Sequence, residues 1–219
     1  MTNHLGVCYA GLVILTVCSF KGGVGKSTTA YHLAHYFSGL APTALVDGDP
    51  NRSASTWASR GKPAFTVVTE HQIATAARRH EHLIIDTKAR PTSAEMEDLA
   101  AGCDLLVVPC TPDPLSLDAM MLTVEELHRL TRDKYSVLLT IVPPAPMTDG
   151  RQARKAMIEA GLPLFRAEIR RTVAFQRAAM TGVTVDQIRT DVAHLAWLDY
   201  ENLGKEISEW PATATSARS

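Results

Sequence analysis

The sequence is poor in cysteine, and its charges nearly cancel. Its four cysteines show no Cys-x-x-Cys spacing and lie in apolar surroundings, which predicts reduced, mostly buried thiols of a cytoplasmic protein. They are Cys8, Cys18, Cys103 and Cys110. No apolar run reaches the roughly 18 to 20 residues that a membrane span needs, and there is no internal repeat, low-complexity region or helix-turn-helix signature. A net charge of -1 implies no partner until the charges are located along the chain.

The composition predicts one soluble globular domain. With 219 residues, 46% of them apolar and 21% charged, the chain is long enough for one sizeable core. The apolar start, Leu5 to Cys18, has the hydropathy of a signal peptide, but no Lys or Arg precedes it and it leads directly into a glycine-rich loop. We therefore predict an N-terminal extension over 1–11, a domain over 12–210 and a loose C-terminal tail over 211–219.

The glycine-rich loop is Lys21–Thr28, with the sequence KGGVGKST. The apolar run before it, Leu12–Val17, predicts a buried strand, and the run after it, Thr29–Phe37, predicts a helix. A strand, a glycine-rich turn and a helix N-terminus together form a cradle of backbone N–H groups for phosphate. Lys26 adds charge for the β- and γ-phosphates, and the Ser27 hydroxyl is a ligand for Mg²⁺. The predicted nucleotide-binding residues of the loop are Gly22, Gly23, Val24, Gly25, Lys26, Ser27 and Thr28.

A second lysine, Lys21, stands five residues before Lys26. A lysine at this place is not needed to hold a phosphate in its own subunit. Its ammonium can project outward, toward a second nucleotide. Lys21 and Lys26 are therefore both candidates for catalysis.

Carboxylates follow two predicted strands close to the loop in the fold. Asp47 and Asp49 come after one short apolar run, and Asp86 ends another. Open α/β sheets place ligand chemistry at the carboxyl ends of their strands. We predict that Asp47 orients the attacking water and helps to bind Mg²⁺, and that Asp86 reaches Mg²⁺ through water. Asp49 then holds the turn or contacts a partner subunit; simple turn formation before Pro50 is the alternative for the first two acids.

Strand-like runs alternate with helix-like runs along the chain. Five or six such strands predict an α/β fold, a single doubly wound, mostly parallel sheet with helices on both faces, of the P-loop NTPase type. The run at 65–68 predicts a short edge strand. A proline-rich turn, 143–146, ends a later strand, and its Pro143 is a candidate for packing on adenine.

Basic residues are concentrated after the nucleotide motifs. Between residues 151 and 190 there are eight Lys or Arg against three acids, a pattern suited to contacts with DNA phosphates rather than bases. A solvated basic surface is the alternative. Arg170 and Arg171 are adjacent and would point to opposite faces of a strand, so that one of them at most need touch DNA. The candidate DNA-binding residues are Arg151, Arg154, Lys155, Arg170, Arg171 and Arg189.

The loop and the segments around it resemble the ParA/MinD family of deviant Walker A ATPases. The segments that carry the resemblance are KGGVGKST, DGDPNRSASTW, LIIDT, PCTPDPLSLDA and LFRAEIRRTVAFQRAAMTGVTV. The chain departs from the family at Asn51, where relatives have Gln, and at Lys88, where they have Pro. Lys88 and nearby Arg90 add two cations beside the site, with the nucleotide, a partner or solvent as their possible contacts.

The resemblance implies an activity and partners. It implies Mg²⁺-dependent hydrolysis of ATP, slow without a partner, by a homodimer that sandwiches two ATP molecules, with Lys21 reaching across the interface. It further implies ATP-dependent binding to non-specific DNA and an adaptor protein that stimulates hydrolysis. The cargo would be a plasmid or, in the related McdA branch, a carboxysome, and the protein would be cytoplasmic and associated with the nucleoid.

Three other readings share these motifs. A MinD-like membrane-positioning ATPase needs a basic amphipathic C-terminal helix, but the apolar stripe Ala196, Tyr200, Leu203, Ile207 and Trp210 is flanked by acids, which favours packing on the domain and no membrane. An iron protein of this fold needs cysteines that bridge subunits, whereas Cys103 and Cys110 bracket a single strand. A P-loop kinase or ligase acting on a small metabolite stays open.

Overall fold

A seven-stranded, all-parallel sheet organises the protein. The computed structural model describes residues 13–121 and 134–210. The strands are β1 (Val13–Ser19), β2 (Thr43–Asp47), β3 (Thr66–Thr69), β4 (His82–Ala89), β5 (Leu105–Cys110), β6 (Tyr135–Val142) and β7 (Leu164–Arg170). Their order in the sheet is β3-β2-β4-β1-β5-β6-β7. The predicted α/β fold is confirmed, and β1 lies at the centre of the sheet.

Helices connect successive strands. They are α1 (Lys26–Ser38), α2 (Ser53–Ala58), α3 (Ile73–Ala76), α4 (Ser93–Gly102), α5 (residues 114–121), α6 (Asp149–Glu159), α7 (Ala174–Thr181) and α8 (Asp191–Ser208). Short 3₁₀ turns lie at Glu70–Gln72 and Val185–Gln187. The predicted N-terminal extension and C-terminal tail lie outside the described residues.

The expected number of strands, five or six, was too low. The outermost strand β7 alternates charged and apolar residues, so it lacks the continuous apolar run by which the inner strands are recognised. The other edge strand, β3, is only four residues long but occupies the edge position that was predicted for it.

Alternating strand residues build a core on each face of the sheet. In β5, Leu105 and Val107 join the cluster formed with α1 and α8, whereas Leu106 and Val108 join the cluster formed with α4 and α6. This is the pattern expected of a parallel sheet covered on both sides. The three described cysteines are buried and unpaired, as predicted, and Cys8 lies outside the described residues.

Helix α8 packs on the sheet beside β7. The predicted apolar stripe faces inward, and Gly204 lies so close to the ring of Tyr36 on α1 that a Cβ added there would come within 2.4 Å of it. Among residues 13–121 and 134–210, no helix has the length and hydropathy to span a bilayer.

The outer edge of β7 is covered by two carboxylates of α8. Glu206 accepts hydrogen bonds from the backbone N–H groups of Arg166 (2.8 Å) and Ala167 (3.1 Å). Asp199 accepts one from the backbone N–H of Arg170 (3.0 Å) and pairs with its guanidinium. Outward-facing donors of this edge strand are therefore satisfied within the chain.

Candidate functional site

The glycine-rich loop connects the central strand β1 to helix α1. Gly23 (φ +80°) and Gly25 (φ +81°) have left-handed backbone conformations. Such conformations favour glycine, because glycine has no Cβ atom. Helix α1 begins at Lys26 and receives no hydrogen bond from a capping side chain. The first N–H groups of a helix have no partner within it, so those of α1 are directed at the space that the loop encloses.

Thr140 of β6 fixes the loop from behind. Its hydroxyl lies 2.8 Å from the carbonyl oxygen of Val24 and 3.3 Å from that of Cys110. A cradle for phosphate works only if its N–H groups keep their directions, so this contact preorganises the loop. Sequence reasoning missed Thr140; a polar residue within an otherwise apolar strand was the available signal.

Lys26 is buried between two carboxylates. Its Nζ atom lies 2.8 Å from Oδ1 of Asp86 and 3.2 Å from Oδ2 of Asp49. Asp86, which was predicted to lie close to the loop, thus contacts the loop lysine, and Asp49 contacts it as well. Burying a charged ammonium requires such partners, and a phosphate group can take the place of either of them.

Asp47, which was predicted to orient the attacking water, and Asp49 lie in different environments. Asp47 is fully buried, and its Oδ2 accepts hydrogen bonds from the backbone N–H (2.8 Å) and the hydroxyl (2.6 Å) of Ser55. Asp49 lines the cavity beside the loop and contacts Lys26, while Asn51 donates to its other oxygen. The reason is the turn: Gly48 brings the chain against the Asp86 carbonyl, and the second acid then points at the loop. Asp47 holds α2 in place instead.

The buried Asp86 carboxylate fits a role in binding Mg²⁺. Its Oδ2 atom has no hydrogen-bond partner within the described residues. Burial raises the pKa of Asp86 above its ordinary value, and Lys26 and the Ser27 hydroxyl oppose that rise. An unused carboxylate oxygen beside a loop hydroxyl supplies the hard oxygen ligands that Mg²⁺ binds, directly or through water, together with phosphates.

A cavity of about 820 Å³ opens from the loop and extends between α2 and α7. Beyond the loop residues and Asp49, its walls come from the ends of β6 and β7 and from these two helices. The residues of these walls include Ser53, Thr56, Trp57, Arg60, Thr140, Ile141, Ile169, Arg170, Arg171, Thr172, Phe175, Gln176 and Ala179. This volume accommodates a nucleotide, and Phe175 offers an aromatic surface for a base. Pro143, predicted to pack on adenine, lines instead a neighbouring cavity of about 450 Å³.

The Lys21 ammonium is bound by two side chains of its own chain. Its Nζ lies 2.9 Å from Oδ1 of Asp113 and 2.8 Å from the hydroxyl of Ser116, both beyond the end of β5. Because β5 is the neighbour of β1, their carboxyl ends bring the two segments together. Sequence reasoning left Asp113 and Ser116 without a role.

The predicted DNA-binding residues do not share one environment. Arg154 is bonded to Glu168 and to the carbonyls of Phe165 and Arg166, and Arg170 is bonded to Asp199, so these two guanidinium groups are used within the chain. The remaining four are exposed; they are Arg151, Lys155, Arg171 and Arg189. Arg171 lies at the cavities rather than on α6.

The two unusual cations after Asp86 differ as well. Lys88 pairs with Glu95 of α4 at 2.6 Å. Arg90 is exposed, has a left-handed backbone (φ +57°) and donates its backbone N–H to the carbonyl of Ser19 at 2.9 Å. It therefore stands at the entrance of the loop.

The site has the features of a P-loop nucleotide-binding protein. These features are a central parallel strand, a glycine-rich loop that leads into uncapped helix N–H groups, and a lysine paired with carboxylates. Comparison with known families is more specific. The model described as "CobQ/CobB/MinD/ParA nucleotide binding domain" matches residues 15–185, and the chain belongs to this family.

Similar proteins share nearly the whole chain. The maintenance of carboxysome distribution protein A of Gloeobacter kilaueensis is 33% identical over 205 residues, which cover 90% of this chain and 95% of that protein. A protein ParA of Rhizobium radiobacter is 28% identical over 202 residues, with 84% and 89% covered. A solved Cyanothece McdA variant in complex with ATP superposes with a TM-score of 0.73 at 14% identity, covering 90% of this chain and 96% of that one, which shows the shared fold.

Proposed function

We propose that this protein is an ATPase that dimerises in its ATP state, binds non-specific DNA, and positions or partitions a cargo with a partner that stimulates hydrolysis. The observation that carries the proposal is Lys21, a second loop lysine whose ammonium contacts Asp113 and Ser116 and not the carboxylates that hold Lys26. The relatives named for carboxysome distribution and for ParA support the same class of positioning protein. The cargo would be a plasmid or a carboxysome.

The chain's own residues suffice to bind and orient the phosphates of ATP. Lys26 would leave its carboxylates for the β- and γ-phosphates, and the N–H groups of the loop would hold the oxygens. Ser27 and Asp86 would hold Mg²⁺, which when bound neutralises charge that develops on the phosphates. We propose that Asp49, which lines the cavity, orients the attacking water in place of Asp47, which is buried and bonded to Ser55.

Dimerisation would supply Lys21 to the second nucleotide. Two copies that meet through their loop faces bring each Lys21 toward the other's phosphates. Replacing Lys21 by Ala is expected to weaken ATP-dependent dimerisation and hydrolysis and to preserve binding of nucleotide to the single subunit. The matched control is Lys62→Ala, which removes an exposed cation away from the loop. Wild-type dimerisation in the Lys21→Ala variant would contradict the proposal.

Binding to DNA would depend on the exposed cations of α6. Arg151 and Lys155 stand one helical turn apart and are exposed, whereas Arg154 is tied to Glu168. Exposed basic side chains of this kind neutralise DNA phosphates without recognising the base sequence. The affinity for DNA therefore falls as the salt concentration rises, because cations of the salt compete for the phosphates.

The test is binding to random-sequence duplex DNA with ATP, with ADP and without nucleotide, over a salt series. ATP-dependent binding that weakens steeply with salt is expected, and the double replacement of Arg151 and Lys155 by Ala should reduce both the affinity and the salt slope. The control replaces Arg78 and Arg79, which are exposed just before β4 at the amino end of the sheet, and should change neither. Equal binding, or none, in the three nucleotide states would contradict DNA-dependent positioning.

The two alternatives predict different behaviour in simple assays. A membrane-positioning ATPase would bind anionic vesicles with ATP, a behaviour disfavoured by the burial of the apolar stripe of α8. A metabolite kinase or ligase would consume ATP only with a small acceptor and would need no second copy of the chain.

A further inference from the structure

Lys21 is held by a small polar cluster at the start of α5. Besides Lys21, the cluster consists of Thr111, Asp113 and Ser116. Asp113 accepts hydrogen bonds from the Ser116 backbone N–H (3.1 Å), from the Ser116 hydroxyl (2.7 Å) and from the Thr111 hydroxyl. These contacts fix the carboxylate without any help from Lys21, so the cluster is a preformed seat for the ammonium.

The charges of the seat favour a bound cation. Burial opposes the ionisation of Asp113, but hydrogen bonds from Thr111, Ser116 and Lys21 outweigh it and hold the pKa of Asp113 well below its usual range. The carboxylate is therefore negative at neutral pH.

The contact is nevertheless weak enough to be released. The Lys21 and Asp113 side chains keep 35% and 44% of their exposure, and ion pairs with that access to water contribute about 0.2 to 1 kcal/mol. A phosphate group that carries more than one negative charge, in a face closed by a second subunit, attracts the ammonium more strongly than this carboxylate does.

We propose that Asp113 is the positioning residue of Lys21: it holds the ammonium on the rim in the free subunit and gives it up to the phosphates of a second copy's nucleotide. The inference rests on the proposed function. The seat binds Lys21 through residues beyond the end of β5, and in the proposed dimer this contact must break before Lys21 can reach the second nucleotide. Asp113 thereby sets the protein concentration at which ATP drives dimerisation.

The first test concerns the contact alone and uses the nucleotide-free protein. Lysine amines are acylated under limiting reagent, and the rate for each lysine is read by mass spectrometry in wild type and in Asp113→Asn. Asn keeps the capping oxygen for the Ser116 N–H and removes the charge. Lys21 is expected to react about two- to fivefold faster in the variant, from the energy of such a pair. Lys88, paired with Glu95, is the internal control and should not change.

The second test is the protein concentration at half dimerisation with ATP. In Asp113→Asn it should fall by about 2- to 30-fold, because dimerisation no longer has to break one such pair in each of the two subunits. Asp118→Asn removes an exposed charge from the same helix and should leave the midpoint unchanged.

The outcomes separate the two levels of inference. Three results would overturn the role of Asp113. The first is an unchanged acylation rate of Lys21 in Asp113→Asn, and the second is a dimerisation midpoint that stays or rises in that variant. The third is an equal fall of the midpoint in Asp118→Asn. Failure of the wild type to dimerise with ATP would instead refute the proposed function, whatever the labelling shows.

Discussion

A buried histidine behind the phosphate loop should make the protein sensitive to mild acid. His32 of α1 is fully buried and stacks on Tyr200 of α8 with ring centroids 4.7 Å apart. The Val185 N–H donates to its Nε2 (3.1 Å), so the proton sits on Nδ1, which donates to the Thr28 carbonyl (2.8 Å). Both nitrogens are thus used by the neutral ring. Burial lowers the pKa of His32 from 6.5 to about 4, against the effect of the Thr28 hydrogen bond.

The sign of the effect follows from proton binding. Below pH 6.5 the unfolded chain takes up a proton at His32 that the folded chain refuses until about pH 4, so acid favours unfolding across that window. Each pH unit costs about 1.4 kcal/mol, which gives a loss of about 2 kcal/mol in the free energy of unfolding between pH 6.5 and pH 5.

The assay is urea unfolding at a series of pH values, followed by tryptophan fluorescence. His32→Gln should be less stable than wild type at pH 7.5 but should lose less stability on acidification to pH 5. His194→Gln, at an exposed position of α8, is the control and should keep the wild-type slope. The reasoning fails if wild type and His32→Gln lose stability equally over this range. Carboxylates whose pKa is lowered, such as Asp49, lose their contribution only at still lower pH, so they do not mask the result.

Three further predictions concern the loop and the helices around it. Asp49→Ala should keep ATP binding but reduce the rate of hydrolysis by about 100-fold or more, as for loss of a catalytic base. Asp47→Ala should lower the melting temperature and affect the rate of hydrolysis only secondarily. The reverse pattern in the rate and melting assays would return the catalytic role to Asp47. Gly182→Ala should lower the free energy of unfolding by more than about 2 kcal/mol, because the added Cβ would lie 2.3 Å from the backbone of the turn after α2. Gly161→Ala, which has a similar φ and open space around it, should lower it by about 1 kcal/mol. Equal losses in the two variants would contradict the steric argument. Thr140→Val should weaken nucleotide binding about five- to tenfold in calorimetry by removing the hydroxyl that anchors the loop, and an unchanged affinity would show that the loop is held without it.

The loop and the sheet were predictable because each has a local signature. The spacing of the glycines predicts the turn that contains Gly23 and Gly25, and continuous apolar runs predict the inner strands. The strand β7 gave no such run, since Arg166 and Glu168 interrupt its apolar residues.

Contacts between distant segments were not predictable from the residues alone. Asp47 and Asp49 have the same chemistry and lie two positions apart, and only the close approach of Gly48 to the Asp86 carbonyl decides which carboxylate faces the loop. Likewise, Asp113 lies 92 positions from Lys21 and becomes its neighbour because β1 and β5 are adjacent. The spacing of residues within one segment predicts the structure of that segment. Which residues of distant segments become neighbours depends on the order and register of the strands.

The carboxylates that cover β7 limit how copies of this protein can associate. Glu206 and Asp199 occupy N–H groups through which a foreign strand would extend the sheet. Fusion of two sheets at this edge, which tends to be long-lived because backbone pairing is extensive, is therefore blocked by the chain itself. In the proposed dimer, association would instead use side chains and bound phosphates on the loop face, which can separate when a phosphate is lost. Capping of the β7 edge thus favours the reversible assembly that the proposed function requires.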